Sequence, residues 1–133
     1  MNPRYPRVAE RAGHRCEYCH APEVIFNLAF EVEHIVPPSQ QGTEDDSNLA
    51  LACRSCNVFK ANHLSARDEI TASENRLFHP RKDRWEDHFR VIAETGEIQG
   101  LTSVGRATVA CLQMNSNFQM LARRRWHQVH LFP

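Results

Sequence analysis

No stretch of this chain is both long and apolar. The run Val24-Ile25-Phe26 already stops at Asn27, whereas a bilayer-spanning helix needs roughly 20 such residues. A transmembrane helix is therefore excluded. The first arginines, Arg4 and Arg7, have no apolar segment behind them, so no secretory leader is read there. Net charge is missing as well, because 16 Lys+Arg balance 16 Asp+Glu, and the chain as a whole is no polycation. There is no internal repeat and no low-complexity tract. The expectation is a soluble, cytoplasmic chain with no membrane partner. Its 133 residues suit one domain of ordinary size.

The charge that cancels overall is segregated along the chain. Residues 16–49 hold seven acids and no Lys or Arg, whereas residues 1–15 and 106–133 are basic. Such alternation reads either as solvated faces or as phosphate-binding surfaces around an acidic centre.

The cysteines are more informative. Cys16-Glu-Tyr-Cys19 and Cys53-Arg-Ser-Cys56 are two CxxC pairs separated by 33 residues. Each turn of this kind presents two thiolates to one tetrahedral Zn²⁺, and two turns complete a four-sulfur site. Disulfides do not suit a chain kept in a reducing compartment. A redox dithiol is the rival reading, but it needs only one pair and a thioredoxin-like context. Four thiolates leave the zinc no open position, so its expected role is structural. Cys111, among Val109, Ala110 and Leu112, reads as a small buried hydrophobe.

Between the knuckles, Phe30 to Ile35 alternates imperfectly like a strand and ends at Pro37-Pro38. A polar loop over 39–47 follows, then a short return strand over 48–52. Residues 54–62 suit a short helix. Strand, loop, strand and helix form a ββα unit, and on it stand Glu33, His34, Asn48 and Asn57.

The string Cys16-x-x-Cys19, Glu33-His34-Ile35-x-Pro37, Gly42, Asn48-Leu49, Cys53-x-x-Cys56-Asn57-x-x-Lys60 resembles the HNH endonucleases, over about residues 14–63. Downstream, Leu77-Phe78-His79-Pro80-Arg81, Trp85, His88-Phe89, Gly105-Arg106-Ala107-Thr108 and Met114-Asn115 look like an extension common in small HNH proteins. The resemblance implies an α+β fold: a ββα-metal core braced by a four-cysteine zinc site, with an N-terminal helix and a C-terminal hairpin and helix extension over about 64–133. The whole chain, 1–133, is then one nuclease domain.

It also implies roles. Phosphodiester hydrolysis requires an activated water and charge stabilisation at the phosphate. An imidazole ordinarily titrates near neutral pH, which makes His34 the general-base candidate. Glu33 and Asn57 are implied as oxygen ligands of a catalytic Mg²⁺ or Mn²⁺, and Asn48 as a brace for the His34 loop. Asn57 also reads as a simple helix cap. Lys60, Arg54 and Arg81 are candidates for phosphate contacts, and a solvated surface role stays open for each.

The flanks read as elements too. Pro3 to Gly13 suits a helix whose surface is lined by Arg4, Arg7, Arg11 and Arg15. Phe89–Ala93 and Ile98–Leu101 read as strands about a turn at Thr95-Gly96. Thr102 or Ser103 caps a helix through Leu112, and a last helix covers 118–127. The functional expectation is a metal-dependent DNA endonuclease, acting on double-stranded DNA as a monomer or homodimer. The alternative is a non-catalytic zinc-ribbon module that binds nucleic acid.

Overall fold

A computed structural model describes residues 1–133. The chain is a mixed α+β protein made of small hairpins and helices. Helix α1 (Tyr5–Arg11) starts with Pro6 in its first turn and buries Val8 and Ala9. Strand β1 (Glu31–His34) pairs antiparallel with β2 (Leu49–Ala52), with Glu33 opposite Ala50 and His34 opposite Leu49. Every residue of β2 is buried, which fits its apolar composition. Helix α2 (Arg54–Lys60) follows and takes its cap from the second knuckle: the Cys53 sulfur accepts from the Cys56 N–H at 3.4 Å. It ends two residues before the expected position, where Ala61 leaves helical geometry with a positive φ.

The remainder contains two further hairpins and three helices. The first hairpin joins β3 (Ser65–Asp68) to β4 (Ser73–Arg76), and nothing in its polar sequence announced it. A single-turn helix α3 (Trp85–His88) leads into the second hairpin, β5 (Phe89–Ile92) and β6 (Glu97–Gly100). Helix α4 (Ser103–Cys111) is capped by the Thr102 hydroxyl and packs across β3 and β6. A Cβ on its Gly105 would lie 2.1 Å from the His88 carbonyl oxygen, so glycine permits that close approach. Helix α5 (Asn117–Gln128) closes the fold. Cys111 is only half-buried, so the chain covers it less than its apolar neighbours implied.

One apolar cluster runs through both parts, including Val8, Tyr18, Leu49, Leu51, Phe78, Phe89, Ile98 and Leu112. Named bonds also fasten the extension to the first knuckle. The Trp85 indole N–H donates to the Tyr18 carbonyl at 2.8 Å, and Arg81 pairs with Glu17. No helix is long and apolar enough to cross a membrane.

Candidate active site

The four knuckle sulfurs converge. Cys16, Cys19, Cys53 and Cys56 are all buried, with their sulfurs within 4.8 Å of one another. The Cys19 and Cys53 sulfurs stand 3.7 Å apart. A tetrahedral zinc with Zn–S bonds of about 2.3 Å requires S···S edges of roughly 3.8 Å, so the arrangement fits the ion. The neighbouring sulfurs, aided by burial, hold the Cys19 and Cys56 thiols well above their ordinary range. A cation that binds thiolates relieves that cost. The clamp fixes the start of α2 against the hairpin, and the side chains of interest stand on that seam.

Alternation along β1 puts Glu31 and Glu33 on the face that α2 covers. The helix meets them in register. Asn57 donates its side-chain amide to Glu31, and one turn later Lys60 meets Glu33 with Nζ 2.7 Å from the carboxylate. Lys60 also donates to the Ile35 carbonyl at 2.9 Å, and Tyr18 donates its hydroxyl to Glu33 at 2.7 Å. Both partners of the ion pair are buried, Lys60 being 2% and Glu33 5% exposed. Burial pushes the Glu33 carboxyl above the usual carboxylate range despite the ammonium beside it. It pushes the Tyr18 phenol up as well, with Glu33 adding to the effect.

Glu33 and Lys60 meet each other rather than the partners expected of them. Glu33 does not meet Asn57; its oxygens are taken by Tyr18 and Lys60, and the carboxylate that touches Asn57 is Glu31. Lys60 does not reach outward to a phosphate but is a buried strut between helix and strand. The physical reason is spacing. Asn57 and Lys60 are about 4.5 Å apart along a helix, and Glu31 and Glu33 roughly 6.7 Å apart along a strand, so each helix residue takes one acid.

His34, on the opposite side of the strand, pairs through Nε2 with Glu44 and keeps about a quarter of its side chain exposed. Asn48 is buried and uses its whole amide. Oδ1 accepts from the Val36 N–H at 2.8 Å, while Nδ2 donates to the Val36 and Thr43 carbonyls at 3.0 and 2.8 Å. It therefore ties the end of the His34 strand to the loop that carries Glu44. That loop needs Gly42, because a Cβ there would fall 1.7 Å from the Val36 oxygen, and Gln41 before it adopts a left-handed φ of 71°.

Of the other candidates, Arg54 is exposed and donates to Glu31 at 3.0 Å. Arg81 is committed to Glu17, whose other oxygen accepts from the Leu51 N–H, so it is a tether rather than a free cation. The arginines of α1 grip the acidic loop: Arg7 pairs with Asp46 at 2.8 Å, and Arg11 donates to the Asp46 and Leu49 carbonyls. This contact between a basic helix and an acidic loop accounts for much of the charge segregation. Sequence reasoning missed Glu31, Tyr18 and Glu44. The alternation of Glu31 with Glu33 was the one available signal.

For a hard divalent cation, Glu31 and Asn57 offer oxygen donors at the edge of an open pocket of about 530 Å³, also lined by Asn2, Tyr5 and Val32. That donor set fits a weakly held, mostly hydrated ion. Either acid would have to exchange partners to ligate it, Glu31 its contacts with Arg54 and the Asn57 amide, Glu33 its pair with Lys60.

Two CxxC turns that join a hairpin to a helix define a ββα domain with a buried four-cysteine cluster. Comparison with known families gives its kind: residues 16–63 match the HNH endonucleases, and the chain carries an HNH endonuclease domain over that span with a buried four-cysteine cluster inside it. The match supports nuclease activity, and the four-cysteine group is consistent with structural zinc. No curated protein and no solved structure matches the chain.

Proposed function

We propose that the protein is a metal-dependent endonuclease that hydrolyses DNA phosphodiester bonds with a water activated by His34. The observation that carries this reading is the set of His34, Asn48 and Asn57 on one zinc-clamped hairpin and helix, within the span of the family match. His34 takes the proton of the attacking water, as a neutral imidazole can. Asn48 holds the strand end and the loop in one geometry, so the imidazole does not wander. Asn57 and Glu31 would hold a Mg²⁺ or Mn²⁺. When bound, such an ion stabilises charge developing on the phosphate and on the leaving oxygen. Arg54 and the other surface arginines supply positive potential for the anionic backbone. The structural zinc, closed by four sulfurs, takes no part in the chemistry.

The test is supercoiled plasmid incubated with zinc-loaded protein in Mg²⁺, in Mn²⁺ or in EDTA at a concentration that leaves the zinc in place. Nicking or linearisation that requires the added divalent ion is the expected result. Plasmid that is bound but stays intact in every condition favours a binding module instead.

A further inference from the structure

We infer that Glu44 is the positioning residue of His34, fixing which imidazole nitrogen carries the proton. The inference rests on the base role proposed above but extends it to a residue outside the motif. His34 ends β1 on the face opposite Glu31 and Glu33, and its Nε2 meets the Glu44 carboxylate. A carboxylate only accepts hydrogen bonds. The shared proton therefore belongs to Nε2, and neutral His34 is the Nε2–H tautomer. Nδ1 has no hydrogen-bond partner in the protein and keeps its lone pair for a water. Imidazole bases in general depend on such a partner to select tautomer and ring orientation.

Glu44 is held where this requires it. On one side Thr43 is pinned through its carbonyl to Asn48 Nδ2 at 2.8 Å, and Gly42 N–H donates to the Pro37 carbonyl at 3.0 Å. On the other, Thr43 Oγ1 donates to Asp45 at 3.1 Å, and Asp46 pairs with Arg7 at 2.8 Å. Glu44 itself also faces Arg4, with Nη1 3.6 Å from Oε1. Arg4 offsets part of the repulsion that the Glu44 carboxylate would exert on a phosphate. Both Glu44 and Arg4 are well exposed, and exposed ion pairs contribute little to stability. A purely structural reading of Glu44 therefore predicts almost nothing, whereas the positioning reading predicts a change at His34.

The experiment uses ¹⁵N-labelled, zinc-loaded protein, with spectra recorded over a series of pH values. Long-range ¹H–¹⁵N spectra assign the His34 nitrogens by their loss in His34→Gln. Wild type should show Nε2 protonated and Nδ1 bare. Glu44→Ala should show the two tautomers mixed, and Glu44→Gln, whose amide oxygen can still accept, should restore most of the wild-type pattern. In the plasmid assay, Glu44→Ala should lower kcat about tenfold with KM unchanged, and Glu44→Gln should recover most of the loss. A His34 nitrogen pattern identical in wild type and Glu44→Ala overturns the inference. If wild type shows the Glu44-dependent pattern yet cuts no plasmid under any metal, the positioning contact stands and the nuclease reading fails.

Discussion

The core that carries the four-cysteine cluster (residues 16–63) and the extension (residues 64–133) solve the same problem with different materials. Each has short strands and short helices that could not hold themselves together alone. In the core, four cysteines replace what a larger apolar interior would do, and β1, β2 and α2 are only four, four and seven residues long. The extension holds no such cluster and uses buried polar pegs. Asp68, fully buried, receives a two-pronged bond from Arg106 at 3.0 Å for both contacts. Thr108 Oγ1 accepts from the Phe78 N–H at 2.8 Å, and Asn115 bonds both backbone groups of Ile98. Arg123 is buried and donates to the Gly96 and Met114 carbonyls. Both regions spend buried polar side chains on architecture, Tyr18, Glu33, Lys60 and Asn48 in the core and Asp68, Thr108, Asn115 and Arg123 in the extension, but only the core adds a cluster of four cysteines.

The comparison breaks most readily at the clamp. Cys16→Ser or Cys53→Ser should remove zinc binding worth on the order of 10 kcal/mol of folding free energy. Loss of the cooperative melt followed by circular dichroism is the expected outcome, and a mutant that melts like wild type would show that the thiolates are not the brace. Next in size is the buried strut. Lys60→Met leaves Glu33 without its counter-ion, and breaking a buried pair typically costs about 3–5 kcal/mol. Chemical denaturation measures that loss. If Lys60 contacted substrate phosphate instead, the variant would keep its stability and show a shallower salt dependence of DNA binding.

Smaller is the peg of the extension. Two hydrogen bonds from Arg106 hold the Asp68 carboxyl well below the usual carboxylate range. A depressed folded value means that this contribution is fully present above the ordinary carboxyl range near pH 4. It is lost as the pH falls through the folded value. Arg106→Ala should therefore melt below wild type at neutral pH, with the gap narrowing in acid. A gap that widens in acid would reverse the sign of the argument.

How much of this was legible in the sequence follows the same division. In the core, chemistry fixes residue identity at fixed spacing, so Cys16, Cys19, Cys53, Cys56, His34 and Asn48 could be read together and the hairpin and helix placed around them. The partners of Glu33 could not, because a strand carries acids on the covered face only when a helix covers it, and nothing local says which helix residue arrives opposite. Lys60 looks in sequence like any surface lysine. In the extension, Thr102 and Gly96 marked α4 and the β5–β6 turn. The β3–β4 hairpin, Ser65–Asp68 with Ser73–Arg76, has almost no apolar alternation, since its strands are held through Asp68 and by α4 packing across them. Arg123 stands in a run of three arginines with nothing to mark it, and only its position on α5 turns it inward.

His34→Ala bears on the proposed chemistry with the fewest intermediaries, provided zinc content and DNA binding are measured on the same sample. Removing a general base costs 10²–10⁴-fold, so cleavage in Mg²⁺ should fall by at least about a hundredfold while one zinc per chain and DNA affinity stay at wild-type levels. Undiminished cleavage by that variant, with zinc and affinity intact, would contradict the assignment of His34 as the base.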